Sequence, residues 1–187
     1  MSQKNNINPF KKSTEKILSI IFTHPNRTFH VRNLARLANL STTSVTKAIK
    51  DLESLKIVKV ESTDITKNIK ANLESDSFTR YKRILNLHQI EKNKLTEIIT
   101  NELNPSAIVL FGSYAKGEDI EESDIDIVTI SNKKSTKELE KSLEKTEKAL
   151  KRKISLQILP SLEKSSKEFK NAIINGIVLQ GYIKVVW

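Results

Sequence analysis

The sequence predicts an α+β chain of two parts joined by a long helix. Three observations carry this. Between residues 13 and 74, three helical patterns are followed by two runs of strand character. From 76 to 103, apolar residues recur at helical spacing without a break. From 104 onward, short β-branched and apolar runs alternate with helical patterns. The division that follows is a flexible tail over 1–12, a first domain over 13–74, a connector helix over 75–103 and a second domain over 104–187. A chain of 187 residues has room for one large or two small domains.

Charge separates the parts. Residues 1–50 hold nine Lys or Arg and one acid, Glu15, a net of +8. Residues 51–100 net +1, and residues 101–187 net +1. A basic module joined to a near-neutral remainder points to a polyanion partner for the first part only. Cysteine is absent, which excludes disulfides and thiolate zinc sites and suits the cytoplasm. The start, Met1 to Lys12, lacks the apolar stretch of a signal peptide, and no run reaches membrane-spanning length, so no membrane partner is expected. His24, His30 and His88 are scattered without ligand spacing.

The first helix is expected from Ser13, a good N-cap, to His24-Pro25, with Ile17, Leu18, Ile20, Ile21 and Phe22 inward. Arg27 to Val31 is short and extended. Val31 to Ala38 reads as a second helix with Leu34, Ala35 and Leu37 inside. Asn39-Leu40-Ser41 makes a turn, and Ser41 caps a third helix to about Leu55, with Val45, Ala48, Ile49 and Leu52 inside. Two short helices around a tight turn form a helix-turn-helix pattern. The strand-like runs Ile57 to Glu61 and Ile65 to Leu73, with a turn over Ser62 to Asp64, supply a wing.

Residues 13–74 thus resemble the winged helix-turn-helix family of DNA-binding domains. The resemblance implies double-stranded DNA as partner, with the third helix in the major groove. Its outward face offers Ser41, Thr42, Thr43, Ser44, Thr46, Lys47 and Lys50, whose hydroxyls and ammonium groups suit phosphates and base edges. Arg32 and Arg36, with Lys67 and Lys70 on the wing, add backbone contacts, as could Arg27.

The connector pattern runs through Phe78, Tyr81, Ile84, Leu85, Leu87, Ile90, Leu95, Ile98, Ile99 and Leu103. One helix of that extent would be about 40 Å long. Its apolar stripe needs cover, from the second domain or from another copy in a homodimer. Asn104-Pro105 ends it.

The second domain is organised around Phe111 to Ile127, F-G-S-Y-A-K-G-E-D-I-E-E-S-D-I-D-I. The run Ala107 to Phe111 reads as a buried strand meeting a turn at Gly112-Ser113. Glycine at 112 lets a phosphate approach the backbone, and Ser113 is a good N-cap for a short helix whose amides face an anion. Asp124 and Asp126 are two apart in a strand-like run, so alternation puts both carboxylates on one face. Two such carboxylates suit a hard divalent cation, whose shell a nucleoside triphosphate completes. Beyond lie a Glu/Lys-rich helix from Ser135 to Lys151, a strand Ile154 to Leu159, a helix from Ser161 to Ile174, and a closing apolar segment from Ile177 to Trp187.

The ordered set of Gly112, Ser113, Ala115, Lys116, Gly117, Asp124 and Asp126 resembles the nucleotidyltransferase family of the DNA polymerase β superfamily in its minimal form. The resemblance covers residues 104 to 159 and implies an α/β domain with a mixed sheet. It implies that Gly112, Ser113 and Lys116 bind nucleotide and that Asp124 and Asp126 hold Mg²⁺ with the nucleoside triphosphate as catalytic residues. The family's third carboxylate belongs on the strand after the intervening helix. That strand, Lys153 to Leu159, has no acid; Ser155 or Gln157 stands there, and Glu163 is the nearest acid beyond it. The function expected is therefore that of a DNA-binding protein, a transcriptional regulator, whose second domain binds Mg-nucleotide with weak or no transfer. The alternative is an active enzyme that moves a nucleoside monophosphate from a triphosphate to a protein or small-molecule hydroxyl.

Overall fold

A computed structural model of the chain describes residues 11–62 and 67–183, in two units divided between Leu85 and Asn86. Residues 1–10 of the tail expected over 1–12, residues 63–66 (with most of the turn expected over Ser62 to Asp64 and the start of the strand expected from Ile65) and the last residues, 184–187, lie outside the described residues.

In the first unit, α1 (Lys12–Thr23) starts one residue before Ser13 and buries Ile17, Leu18, Ile21 and Phe22. Ser13 falls inside its first turn, and no side chain caps it. The two-residue strand β1 (Phe29–His30) leads into α2 (Val31–Ala38), then α3 (Thr42–Ser54), β2 (Val58–Ser62) and β3 (Lys67–Ala71). Asn39 turns the chain after α2 in a left-handed conformation, φ 53°. Ser41 caps α3, its hydroxyl accepting the amide of Ser44 at 3.2 Å. Strands β1, β3 and β2 form one antiparallel sheet in that order. Ile17, Leu18, Leu34, Val45, Leu52, Ile57 and Ile69 are fully buried in one core, each worth about 1.5–3 kcal/mol on burial. Leu37 was expected inside but is 46% exposed. Ala38 takes the inward place, because residues 34, 35 and 38 share the face that meets the core.

The connector is two helices, not one. Helix α4 (Asp76–Lys92) stops at Asn93, whose side-chain amide donates to the Gln89 carbonyl at 2.8 Å. Lys94 turns the chain with φ 56°, and α5 (Leu95–Leu103) begins. The break resets the helical phase. On one straight helix Ile90 and Leu95 would sit about 140° apart. After the reset, Leu95, Ile99 and Leu103 lie at four-residue spacing on one face, and all are buried with Ile90 in the second unit's core.

The second unit is an α+β body around a mixed four-stranded sheet. Strand β4 (Ala107–Phe111), short helix α6 (Gly112–Lys116), strand β5 (Ile125–Ile130), helix α7 (Lys137–Leu150), strand β6 (Ile154–Leu159), helix α8 (Lys167–Ile174) and strand β7 (Ile177–Gly181) follow in order. The sheet runs β6-β5-β4-β7, with β5 and β6 parallel and the other pairs antiparallel. Every residue of β4 is buried, as its unbroken apolar run requires. Ile108, Leu110, Ile125 and Ile127 pack on one face with α5, Tyr114 and Leu139 of α7. Val109, Phe111 and Val128 point to the other, where Ile173 and Phe169 of α8 cover them. The Phe111 and Phe169 rings meet edge to face, centroids 5.6 Å apart.

Helix α8 is shorter than the sequence suggests. It begins at Lys167, because Ser166 accepts the amide of Phe169 at 3.2 Å and so caps it there. Residues 161–166 form turns instead of a first helical stretch.

Candidate functional site

Strand β4 delivers the chain to Gly112, and the pairing of β4 with β5 sets Phe111 opposite Asp126. Gly112 therefore lies against the Asp126 side chain. A Cβ at Gly112 would come within 2.3 Å of Asp126 Oδ2, and its φ of +73° is one that only glycine adopts freely. The left-handed φ is what favours glycine here, while the contact, with the end of a side chain, would make Asp126 move aside. The helix α6 starts at Gly112 itself, with Phe111 in the N-cap position, so Ser113 stands in the first turn and is not the cap expected. Lys116 is exposed on the last turn, and Gly117 closes α6 in a left-handed conformation, φ 75°.

Asp126 is half-buried on the sheet face shared with Val128, while Asp124 is exposed just before β5. Burial pushes the Asp126 carboxyl above its usual value, the neighbouring charge of Asp124 adds to this, and a hydrogen bond from Ser155 opposes it. That hydrogen bond follows from register. The parallel pairing of β5 and β6 puts Ser155 beside Asp126, and Gln157 beside Val128. So the residue beside Asp126 on the neighbouring strand is a hydroxyl donor. Glu163 is exposed in the turn after β6. Among the described residues, no group of three His, Cys, Asp or Glu is placed to hold a metal ion. What the arrangement offers a cation is two carboxylates whose mutual repulsion a positive charge would relieve, next to a glycine that leaves the backbone open.

A second constellation lies behind the first, and sequence reasoning missed it. The loop from Gly117 to Asp124 contains Asp119, 1% exposed. Asp119 pairs with Arg152, Nη2 to Oδ2 3.0 Å, and accepts the Asn86 amide at 2.8 Å. Asn86 also donates to the Tyr114 carbonyl at 2.9 Å. The Arg152 guanidinium lies over the Tyr114 ring, 5.6 Å from its centroid. The buried Tyr114 phenol is pushed above its usual range chiefly by that burial, with Asp119 adding to it and Arg152 opposing. The partners come from residues 86, 114, 119 and 152, and no local spacing announces them. A lone arginine after a lysine-rich helix was the one available signal.

In the first unit, α3 presents Thr42, Thr43, Lys47 and Lys50 on its exposed side. Arg32 and Arg36 are exposed on α2. The hydroxyls of Ser41 and Ser44 hold each other at 2.8 Å, and Thr46 donates to the Thr42 carbonyl at 2.9 Å, so these three are engaged within the helix. Lys67 is exposed on β3, and Lys70 pairs with Glu61 across the strands at 2.8 Å.

No helix among the described residues is long and apolar enough to cross a membrane. No curated protein matches the chain. Residues 93–182 match the family model described as "Polymerase beta, Nucleotidyltransferase", and the second unit is accordingly a nucleotidyltransferase-like domain.

Proposed function

We propose that the chain is a cytoplasmic DNA-binding regulator whose nucleotidyltransferase-like domain binds Mg-nucleotide and transfers weakly or not at all. The observation that carries the nucleotide half is Gly112 seated against Asp126, with Asp124 two residues before it, inside the stretch that matches the family. Asp124 and Asp126 would hold Mg²⁺, which when bound neutralises phosphate charge. Gly112 and Ser113 would receive the phosphates, and Lys116 would face them. Ser155 beside Asp126 argues for slow chemistry. A hydroxyl is no base at neutral pH, and general-base assistance is worth about 10²–10⁴-fold in rate. Calorimetric titration with Mg-ATP and the other triphosphates, beside a radiolabel transfer assay, tests both claims. Binding to none of them would sink the nucleotide reading.

The intact pair of aspartates favours the second reading, an active transferase acting on a protein or small-molecule hydroxyl. Brisk transfer by the wild type would establish it. Ser155→Asp separates the two readings further. It should restore some activity to an incomplete site and add little to a complete one.

For the first unit, the order α1-β1-α2-α3-β2-β3 with a three-stranded antiparallel sheet is what a winged helix-turn-helix reading requires. The charge of the first 50 residues supplies the attraction to DNA. Thr42, Thr43, Lys47 and Lys50 would enter the major groove. Arg32, Arg36, Lys67 and Lys70 would meet phosphates, Lys70 by exchanging Glu61 for one. The hydroxyls of Ser41, Ser44 and Thr46 would contribute only as acceptors or by giving up their helix bonds. The full chain should bind duplex DNA with an affinity that falls steeply with salt. Lys47→Ala with Lys50→Ala should weaken binding and lower the log–log salt slope by about 2. Fluorescence anisotropy between low and physiological salt reads this, and a slope unchanged in the double variant would exclude both lysines from the interface. Phe78 and Leu85 belong to the first unit's core, so a fragment ending at residue 74 would be a poor substitute. Of the connector stripe, Ile84 is 44% exposed, and it is what a homodimer through the connector would cover. Ile90, Leu95, Ile99 and Leu103 are already buried within one copy.

A further inference from the structure

The Asp124 carboxylate is exposed, and among the described residues no side chain hydrogen-bonds it. Its place is set by backbone alone. Two consecutive residues, Arg152 and Lys153, hold that backbone on both sides. The Arg152 guanidinium, Nη1, donates to the carbonyl of Ser123 at 3.0 Å, immediately before Asp124. The Lys153 carbonyl accepts the amide of Ile125 at 2.9 Å, immediately after it. The same Nη1 also reaches the carbonyls of Ile120 and Glu121, while Nη2 takes Asp119. One buried side chain thus ties four points of the loop that ends in Asp124. Lys151, in a left-handed conformation with φ 55°, turns the chain out of α7 so that Arg152 reaches the loop.

An ion pair this buried is a poor investment for stability alone, since an apolar pair of the same volume often serves as well. Apolar side chains cannot hold three carbonyls in a fixed fan, and a guanidinium can. We propose that Arg152 is the positioning residue of the metal–nucleotide site: it fixes the loop so that the Asp124 carboxylate stands beside Asp126, ready for a divalent cation. This rests on reading Asp124 and Asp126 as the cation ligands. Arg152 touches neither cation nor nucleotide in this role. It acts as an outer support, and supports of this kind typically change metal affinity by roughly 10–100-fold.

The test uses the full chain carrying Asp119→Asn with Arg152→Met, which removes both charges together and leaves no buried ion without its partner. Thermal melting reports the fold. Mn²⁺ uptake, read from the free-ion paramagnetic signal, and titration with ATP, with Mg²⁺ or with EDTA, report the site. The expected result is a folded protein whose Mn²⁺ and Mg-ATP affinities fall roughly 10–100-fold, with metal-free ATP binding unchanged. A merely structural arginine would alter melting and leave that split untouched. Arg152→Lys keeps a charge for Asp119 but cannot span three carbonyls. It should show the same split, and it carries the test if the double variant fails to fold. Wild-type Mn²⁺ affinity in a folded variant overturns the positioning role and leaves the nucleotide reading standing. Wild-type protein that takes up neither Mn²⁺ nor Mg-ATP overturns both.

Discussion

Asp126→Asn is expected to raise the melting temperature at neutral pH and, in the same protein, to abolish Mg-nucleotide binding. The carboxylate is half-buried and faces the charge of Asp124, and its affinity for a proton is raised in consequence. The sign follows from proton linkage. Between the ordinary carboxylate value and the raised one, the folded chain holds the proton more tightly than the unfolded chain. Wild-type stability therefore falls as pH rises through that window and is level above it. Asparagine carries no such charge and still accepts the Ser155 hydroxyl. The gap between variant and wild type should open as pH climbs through the window and then stay constant. Mg²⁺ with nucleotide should close or reverse the gap, because only the wild type gains by binding. Losing a direct ligand should cost more than the roughly 10–100-fold of an outer support. Calorimetric melts from acid to neutral pH, with and without Mg-ATP, check all of this. A variant less stable than wild type at neutral pH without ligand would show that Asp126 is held by something stronger than Ser155.

Asp119→Ala should be the most destabilising single change in the second unit's loops. It leaves the Arg152 guanidinium buried without its counter-ion and the Asn86 amide without its second acceptor. Breaking a buried pair by removing one partner costs about 3–5 kcal/mol. In a unit of about 100 residues, each kcal/mol shifts the midpoint by about 4–8 °C. The loss is thus a large part of the roughly 5–15 kcal/mol by which domains are stable. Asp119→Asn keeps the shape and one acceptor and should lose less. Urea unfolding followed by circular dichroism distinguishes them. A loss under about 1 kcal/mol for Asp119→Ala would mean that water reaches the guanidinium and replaces the carboxylate.

What could be read in the chain was what short-range pattern determines. The five consecutive apolar residues of β4 announce a central strand, and Ser41 announces the start of α3. Alternation in S-D-I-D-I and I-S-L-Q-I fixes which side chains share a face but not the pairing, so the choice between Ser155 and Gln157 beside Asp126 waited on the parallel register of β5 and β6. The failures have local causes. The left-handed Lys94 has no signature of its own, and only Asn93 hinted at a helix end. Three serines, 161, 165 and 166, competed to cap α8, and the last one prevailed. The Asp119–Arg152–Asn86 cluster joins residues more than thirty positions apart, and Asp119 sits in a run of acids that reads as solvated.

The helix α4 belongs to both units. Phe78 and Leu85 fill the first core, whereas the next residue, Asn86, braces the loop of the second, and Ile90 enters its core. A recombination breakpoint before Asp76 would deprive the upstream half of Phe78 and Leu85. One after Lys92 would deprive the downstream half of Asn86 and Ile90. The one crossover that leaves each core its own residues, between Leu85 and Asn86, cuts α4 in mid-helix. The two units are therefore poorly suited to being shuffled separately into other genes, and should tend to be inherited as a pair.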